Sequence, residues 1–467
     1  MKHDDLGAPP SVCLTELRTC FEGVVPAVIA TAAADGTPNV TYLSRVHVVD
    51  DERIALSNQF FSKTSRNLAE NPRASLLLID PRTYDEYRLA VVYERTERHG
   101  ALFEKLRHDV EVVAALSGMQ DVFRLRAADI YRVLHVQRRC RATPVAGADE
   151  LEAMYARPGG PAAVQRLAEL TTRLSRCSDL DMLVDATIDG LHTLLGYEHA
   201  MMLLLDETGQ RLYTIASHGY PAEGVGSEVA VGEGIIGMAA ERATPIHVGS
   251  VHQMRKYGRT VRAAYETGSD VGPGREIELP GLPHPESQAA VPMIALGQLV
   301  GVLMVESSTP ADLAEADVSM LSALASLVAS AIEIDRREPA ASSANADPTK
   351  TESAATSGDV TNVRFFAVDG STFLDGDYLI KGVAGRILWS LLVQHQREHR
   401  YEFTNREVRL DPTLELPEFR DNLESRLILL KRRLDERAAP IRIEKTGRGR
   451  FRLIIDRPLR LDEVAGS

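Results

Sequence analysis

The sequence is poor in aromatics and in cysteine. Aromatic residues make up 5% of its 467 residues, and there is one tryptophan, Trp389. The four cysteines (Cys13, Cys20, Cys140 and Cys177) form no Cys-x-x-Cys pair. A disulfide framework and a structural zinc site are therefore not expected, and Cys13 and Cys20 are expected as small buried apolar side chains. The opening MKHDDLGAPPSV lacks an apolar signal-peptide core, and no uninterrupted apolar run approaches the length of a membrane span. A cytoplasmic protein with reduced thiols and no membrane association is expected. An excess of basic charge is also missing. Lys and Arg number 53 against 66 Asp and Glu, a net charge of −13, which argues against non-specific nucleic-acid binding by the whole molecule but leaves room for one basic domain. What is there is ordinary for globular protein: 44% hydrophobic and 25% charged residues, on a chain long enough for roughly two to four domains.

Composition divides the chain. Residues 338–360, EPAASSANADPTKTESAATSGDV, hold one large aliphatic residue and many Ala, Ser, Thr and Pro. Such a stretch buries too little surface to offset its ordering entropy and is expected as a flexible linker. A weaker boundary lies near 142–161. The blocks are 1–141, 160–337 and 361–460.

Block one alternates strand-like runs with turn signals. VPAVIATAA stops at Asp35-Gly36, a hairpin dipeptide. A second run, Asn39–Val49, is rich in β-branched residues. Arg53–Asn58, Ala74–Ile79 and Tyr87–Arg95 are further strands, with a short helix over Asn67–Asn71 before Pro72. The order Val25-Pro26, Ala30-Thr31, Asp35-Gly36-Thr37-Pro38, Asn67-Leu68, Asn71-Pro72-Arg73-Ala74 and Ala128–Val133 resembles the pyridoxamine 5′-phosphate oxidase-like split barrels. The resemblance implies FMN held in a dimer cleft, with haem or a deazaflavin coenzyme in some relatives. It places the flavin and its phosphate on Thr41, Ser44, Arg45, Ser57, Asn58, Ser62, Lys63 and Thr64. A cation, hydroxyls and helix-start amides are what a phosphate dianion requires. Thr41 stands where the oxidases place an Arg, which argues against pyridoxine phosphate oxidation.

Block two opens with two amphipathic helices, Leu167–Leu174 and Leu180–Leu194, then the strand Ala200–Leu205 and a second, Leu212–Ser217. Gln288–Ala295 and Leu299–Glu306 form a hairpin, and Leu313–Ile334 a long closing helix. Gly232-x-Gly234-x-x-Gly237 spells a dinucleotide fingerprint, but no acidic residue ends the next strand, Pro245–Val248. In order, this block resembles the GAF family: helix, strand pair, glycine turn into a helix, T-P-I-x-V, the V-P-M hairpin and a closing helix. The resemblance implies small-molecule sensing or dimerisation, with the ligand unspecified. The loop Gly249–Ser287 carries His252, Tyr257, Tyr265 and His284 and is read as either a cavity cap or a surface loop.

Block three carries 20 Lys and Arg against 15 Asp and Glu, a net +5 that leaves −18 for the rest of the chain. The asymmetry suggests a polyanion partner. Gly385–Gln396 is an amphipathic helix. Thr404 and Glu407 form a capping box for a short second helix, and Pro417–Arg437 is a third, with Leu423, Leu427, Leu430 and Leu434 inward. A hairpin turns at Thr446–Gly449. His395-x-x-Glu398-His399 spells an inverted zinc-peptidase pattern without a nearby third ligand and is read as a polar helix end, so no metal is expected. Arg426–Leu434 and Ile443–Leu453 resemble the winged-helix output domains of response regulators. The resemblance implies double-stranded DNA as partner, with Arg426, Arg432 and Arg433 on the groove-entering helix and Arg448 and Arg450 on the wing.

The expected fold class is multidomain α+β: a split β-barrel, a GAF α/β sandwich and a winged helix-turn-helix. The expected function is a homodimeric signalling and transcriptional regulator that senses a flavin-type cofactor or small ligand. An FMN-dependent oxidoreductase with regulatory appendages is the alternative, and no catalytic acid or base stands out for it.

Overall fold

The Asp35-Gly36 turn closes the first hairpin as its sequence demands: Gly36 takes φ +86°, and the Thr37 amide donates to the Asp35 carboxylate at 2.8 Å. The computed structural model describes residues 13–337 except 22–24, 44, 60–61, 82, 118–123, 141–159, 223, 250–278 and 310–311, and residues 360–464 except 415–422 and 448. Residues 338–359 of the expected linker and 250–278 of the long loop, with His252, Tyr257 and Tyr265, lie outside them.

After a helical turn, α1 (Arg18–Phe21), block one forms β1 (Ala27–Ala32), β2 (Pro38–Leu43), β3 (Val46–Val48), β4 (Arg53–Asn58), α2 (Ser62–Glu70), β5 (Arg73–Ile79), β6 (Glu86–Glu97), α3 (Ala101–Ser117) and β7 (Ala127–Cys140). The antiparallel sheet runs β2-β1-β5-β6-β7-β4-β3. The run Asn39–Val49, expected as one strand, is two. It breaks at Arg45 so that its halves join opposite edges of the sheet, β2 on β1 and β3 on β4. Three register shifts along β6–β7 bend this long ribbon, as bulges do. Alternating residues Ile29, Ile54, Leu56, Leu76, Leu89 and Tyr131 fill the interior. Each buried aliphatic of this size stabilises the barrel by on the order of 1.5–3 kcal/mol. Cys20 is buried, and burial pushes its thiol up to about 12, but Cys13 is exposed, contrary to expectation.

Block two starts with α4 (Gly160–Leu174) and α5 (Leu180–Thr193). Its sheet comprises β8 (His199–Leu205), β9 (Arg211–His218), β10 (Glu228–Ala230), β11 (Ile246–Val248), β12 (Ser287–Ala295) and β13 (Gln298–Ser307), in the order β10-β9-β8-β13-β12-β11. α5 and the closing helix α7 (Glu315–Arg337) pack with Met202, Leu204 and Leu303 on one face. The other face, with Met201, Leu203 and Met304, meets α6 (Gly234–Arg242). Cover on both faces explains why these strands read as unbroken apolar runs. Glu315–Arg336 is long and apolar enough to cross a membrane by length and composition, yet Leu324, Ala325, Val328 and Ile332 lie fully buried in the domain core. The glycines of the G-x-G-x-x-G run serve the backbone. Gly232 and Gly234 take positive φ to turn into α6, and a Cβ on Gly237 would sit 2.2 Å from the Ala230 carbonyl oxygen.

Block three forms β14 (Thr361–Phe366), β15 (Ser371–Leu374), β16 (Asp377–Ile380), α8 (Gly382–Glu398), β17 (Glu402–Thr404), α9 (Asn405–Arg409), α10 (Leu423–Glu436), β18 (Ile441–Gly447), β19 (Arg450–Ile455) and β20 (Leu459–Val464). Thr404 and Glu407 cap α9 reciprocally. β20 closes the first sheet parallel to β14, and β17-β19-β18 make a second sheet around the hairpin. Residues 417–422 of the expected third helix lie outside the described residues.

Candidate functional site

The barrel turn comes first. α2 begins at Ser62, earlier than its sequence suggested, so Ser62, Lys63 and Thr64 form its first turn, and Lys63 is exposed. The other residues read for the cofactor are differently disposed. Thr64 is buried, and its hydroxyl accepts from Asn39 Nδ2 at 3.0 Å, inside a network that also joins Asn67 to Thr31. Ser57 is also buried, and its Oγ accepts from the Arg45 amide at 3.1 Å. Asn58 donates to Asp129 at 2.8 Å, where burial raises the carboxyl above its ordinary value. Thr41 is half-buried on the edge strand β2, whose Val40 and Tyr42 are about two-thirds exposed. Ser44 and the side chain of Ser62 lie outside the described residues. Lys63 stands exposed beside the first-turn amides of α2, which have no partner within the helix.

Arg45 is buried as well. It is 8% exposed, and its charge acts on His47 and on His247 of β11 in the next domain. Burial, then Arg45, push His247 down to about 4. The barrel meets the sheet domain through α3 as well. Arg242 of α6 bonds Glu111 at 3.0 Å and His108 at 3.1 Å, Lys105 reaches Glu315 at 3.1 Å, and Val112 joins the apolar cluster around α6.

On its far side the sheet domain grips α10. Leu423, Leu427, Leu430 and Leu434 face the helix's own core as expected, yet Ser425, Arg426, Ile428, Leu429 and Arg433 are buried too. A helix buried all round has a second partner, here α5 and β9. Arg426 grips Glu207 with Nε and Nη2, the first at 2.8 Å, and lies 4.0 Å over the Tyr213 ring, while Tyr213 OH donates to Ser425 at 3.0 Å. Arg432 bonds Asp181 at 2.8 Å and Asp185 at 2.6 Å, and Lys431 bonds Asp181 at 2.8 Å. Lys445 of the hairpin pairs with Asp179 at 2.9 Å, and Lys381, just before α8, reaches Glu228 at 3.1 Å. Burial raises the Asp181 carboxyl, and Lys431 and Arg432 more than reverse this, leaving it below its ordinary value.

The residues read for DNA therefore divide. Arg426 and Arg432 are engaged by the sheet domain. Arg433 is corrected to a core residue: its Nε donates to the Leu379 carbonyl at 2.9 Å, and its Nη1 pairs with Glu436. Arg450 is half-buried beside the hairpin turn, opposite Thr404 of β17. Arg448 lies outside the described residues. Sequence reasoning missed Asp179, Asp181, Asp185, Glu207 and Glu228. The signal available was the charge asymmetry, whose acidic side lies in the same chain. His395 bonds the Arg400 carbonyl at 3.1 Å, and no cluster of metal-ligating side chains occurs among the described residues.

Comparison with known proteins identifies the first two blocks. Residues 14–160 match the pyridoxamine 5′-phosphate oxidase family model, and residues 177–333 match the GAF domain model. A 50-residue segment is 40% identical to an uncharacterized protein of Methanocaldococcus jannaschii, a match that spans 10% of this chain and 34% of that protein. Among solved structures, the GAF domain of an Acinetobacter phosphoenolpyruvate-protein phosphotransferase is 22% identical, with 40% of this chain and all of that one covered and a TM-score of 0.30. An FMN-binding protein of Syntrophomonas wolfei is 14% identical, with 28% of this chain and 90% of that one covered and a TM-score of 0.23. The chain thus carries a split barrel of the pyridoxamine 5′-phosphate oxidase type over residues 14–160, followed by a GAF domain over residues 177–333.

Proposed function

We propose that the chain is a ligand-controlled regulator: the split barrel holds a flavin-type cofactor, FMN by the chemistry of its turn, and the carboxy-terminal unit is a winged-helix output for duplex DNA. The observation that carries this reading is the place of the GAF domain. It is held by α3 of the barrel on one side and by α10 of the carboxy-terminal unit on the other, in both cases by ion pairs beside apolar contacts. A module so placed couples a change at one end to the other, provided the ligand has unequal affinity for the two arrangements. Lys63 and the first-turn amides of α2 would hold the phosphate, with Thr41 lining the flavin. FMN, when bound, supplies reversible redox chemistry. The exposed edge of β2, with Val40 and Tyr42, supports pairing with a second copy of the chain.

The test is the visible absorption of the purified full chain together with mass spectrometry of whatever heat releases. A flavin spectrum and released FMN, both lost in Lys63→Ala, are expected. A colourless protein that also refuses added FMN would overturn the cofactor reading.

A further inference from the structure

We infer that the acidic face of the GAF domain is an internal docking surface for the basic face of α10, and that a polyanion competes with it for the same cations. The chain as described is the closed state, in which the output helix is masked. This rests on the reading of the carboxy-terminal unit as a duplex-binding output.

Five carboxylates on the GAF domain meet five basic side chains of the carboxy-terminal unit: Glu207 with Arg426, Asp181 with Lys431 and Arg432, Asp185 with Arg432, Asp179 with Lys445, and Glu228 with Lys381. A row of carboxylates presents to these cations what a row of phosphates would. Arg426 and Arg432 cannot contact a duplex while so held. The contact also has an apolar part: Ile428 and Leu429, 6% and 2% exposed, belong to one buried cluster with Val184 and Ile215 of the GAF domain. Leaving the GAF surface would expose them to water, which favours the closed state at rest. The surrounding ion pairs make the same contact salt-sensitive and open to competition by anions. The masked population lowers apparent duplex affinity by the fraction of chain that is open.

The experiment uses the full chain in three forms. The release variant is Asp181→Asn/Asp185→Asn/Glu207→Gln. The control, Glu198→Gln/Glu233→Gln/Glu241→Gln, makes the same change in net charge at exposed GAF positions away from α10. Small-angle scattering reports the dimensions. Fluorescence anisotropy with a labelled duplex of mixed sequence, at about 0.1 M salt, reports affinity. The release variant is expected to be larger than wild type and to bind duplex about tenfold tighter or more, with the control like wild type. Unchanged dimensions in the release variant would overturn the docking. Expansion without tighter binding than wild type would overturn the masking, and expansion with no duplex affinity at all would keep the docking and overturn the reading of the output as duplex-binding. If the triple variant melts at a lower temperature than the control by circular dichroism, Asp181→Asn alone serves, with about threefold tighter binding expected from loss of one of the shared carboxylates.

Discussion

Glu207→Gln is the sharpest single perturbation of the contact between the GAF domain and α10. The Glu207 and Arg426 side chains are 11% and 10% exposed, so the substitution takes the paired charge from a buried guanidinium and leaves it the Gln amide oxygen, the Tyr213 face and the more distant charge of Asp206. Breaking a buried pair from one side costs about 3–5 kcal/mol when the fold holds the survivor in place. Here the fold need not hold it: undocking α10 returns Arg426 to water, so the loss cannot exceed the docking free energy. We expect a weakening of about 2–3 kcal/mol, roughly a hundredfold in the docking equilibrium. Lysine labelling read by mass spectrometry follows this directly. Lys381, Lys431 and Lys445 all lie in the contact and none touches Glu207, while Lys63 lies on the barrel and serves as reference. All three interface lysines should label faster in Glu207→Gln, with Lys63 unchanged. The double variant Arg426→Met/Glu207→Leu should return most of the protection, because apolar replacement of both partners is close to neutral. Faster labelling at none of the three, or a double variant as open as the single, would refute the reasoning.

Three further outcomes follow from the same geometry. Asp179 and Asp181 sit below their ordinary value of 3.8 in the docked state because, against the effect of burial, the Met182 amide and Lys445 stabilise the first carboxylate, and Lys431 and Arg432 the second. Their contribution is full above 3.8 and is lost as pH falls through the lower docked values, so scattering should show α10 docked at pH 5 and released only in stronger acid; release near pH 6 would contradict this. His247 runs from its ordinary 6.5 down to about 4. Its neutral form is favoured by folding, so stability should fall from pH 6.5 toward 4 by about 3 kcal/mol, and His247→Gln should flatten that part of the curve in urea titrations. The Tyr131 hydroxyl is fully buried without a hydrogen-bond partner among the described residues, so Tyr131→Phe should leave the barrel as stable or raise it by about 1 kcal/mol in thermal melts, whereas a loss would mean that the hydroxyl has a partner.

Local signals in the sequence translated well into structure. Asp35-Gly36 turns a hairpin, Thr404 and Glu407 cap α9, and Leu296-Gly297, both at positive φ, turn β12 into β13. These depend on a few adjacent residues whose chemistry dictates one backbone path. Long-range pairing was not legible. β20 runs parallel to β14 nearly a hundred residues earlier, and no local pattern announces it. The break at Arg45 was hidden for a related reason, because a β-branched run reads the same whether it feeds one strand or two. The arginines of α10 show the limit most clearly. Charge on a helix face states that a counter-charge or water must be met, not which. Arg433 meets a carbonyl of its own domain and Arg426 a carboxylate of the GAF domain.

The central claim is that occupancy of the barrel is felt at α10. The most direct test titrates FMN into the full chain while flavin absorption and the labelling of Lys431 and Lys445 are read in the same samples. The account predicts saturable FMN binding, abolished in Lys63→Ala, with interface labelling that rises several-fold along the same isotherm. FMN that binds while labelling at Lys431 and Lys445 stays flat would contradict it.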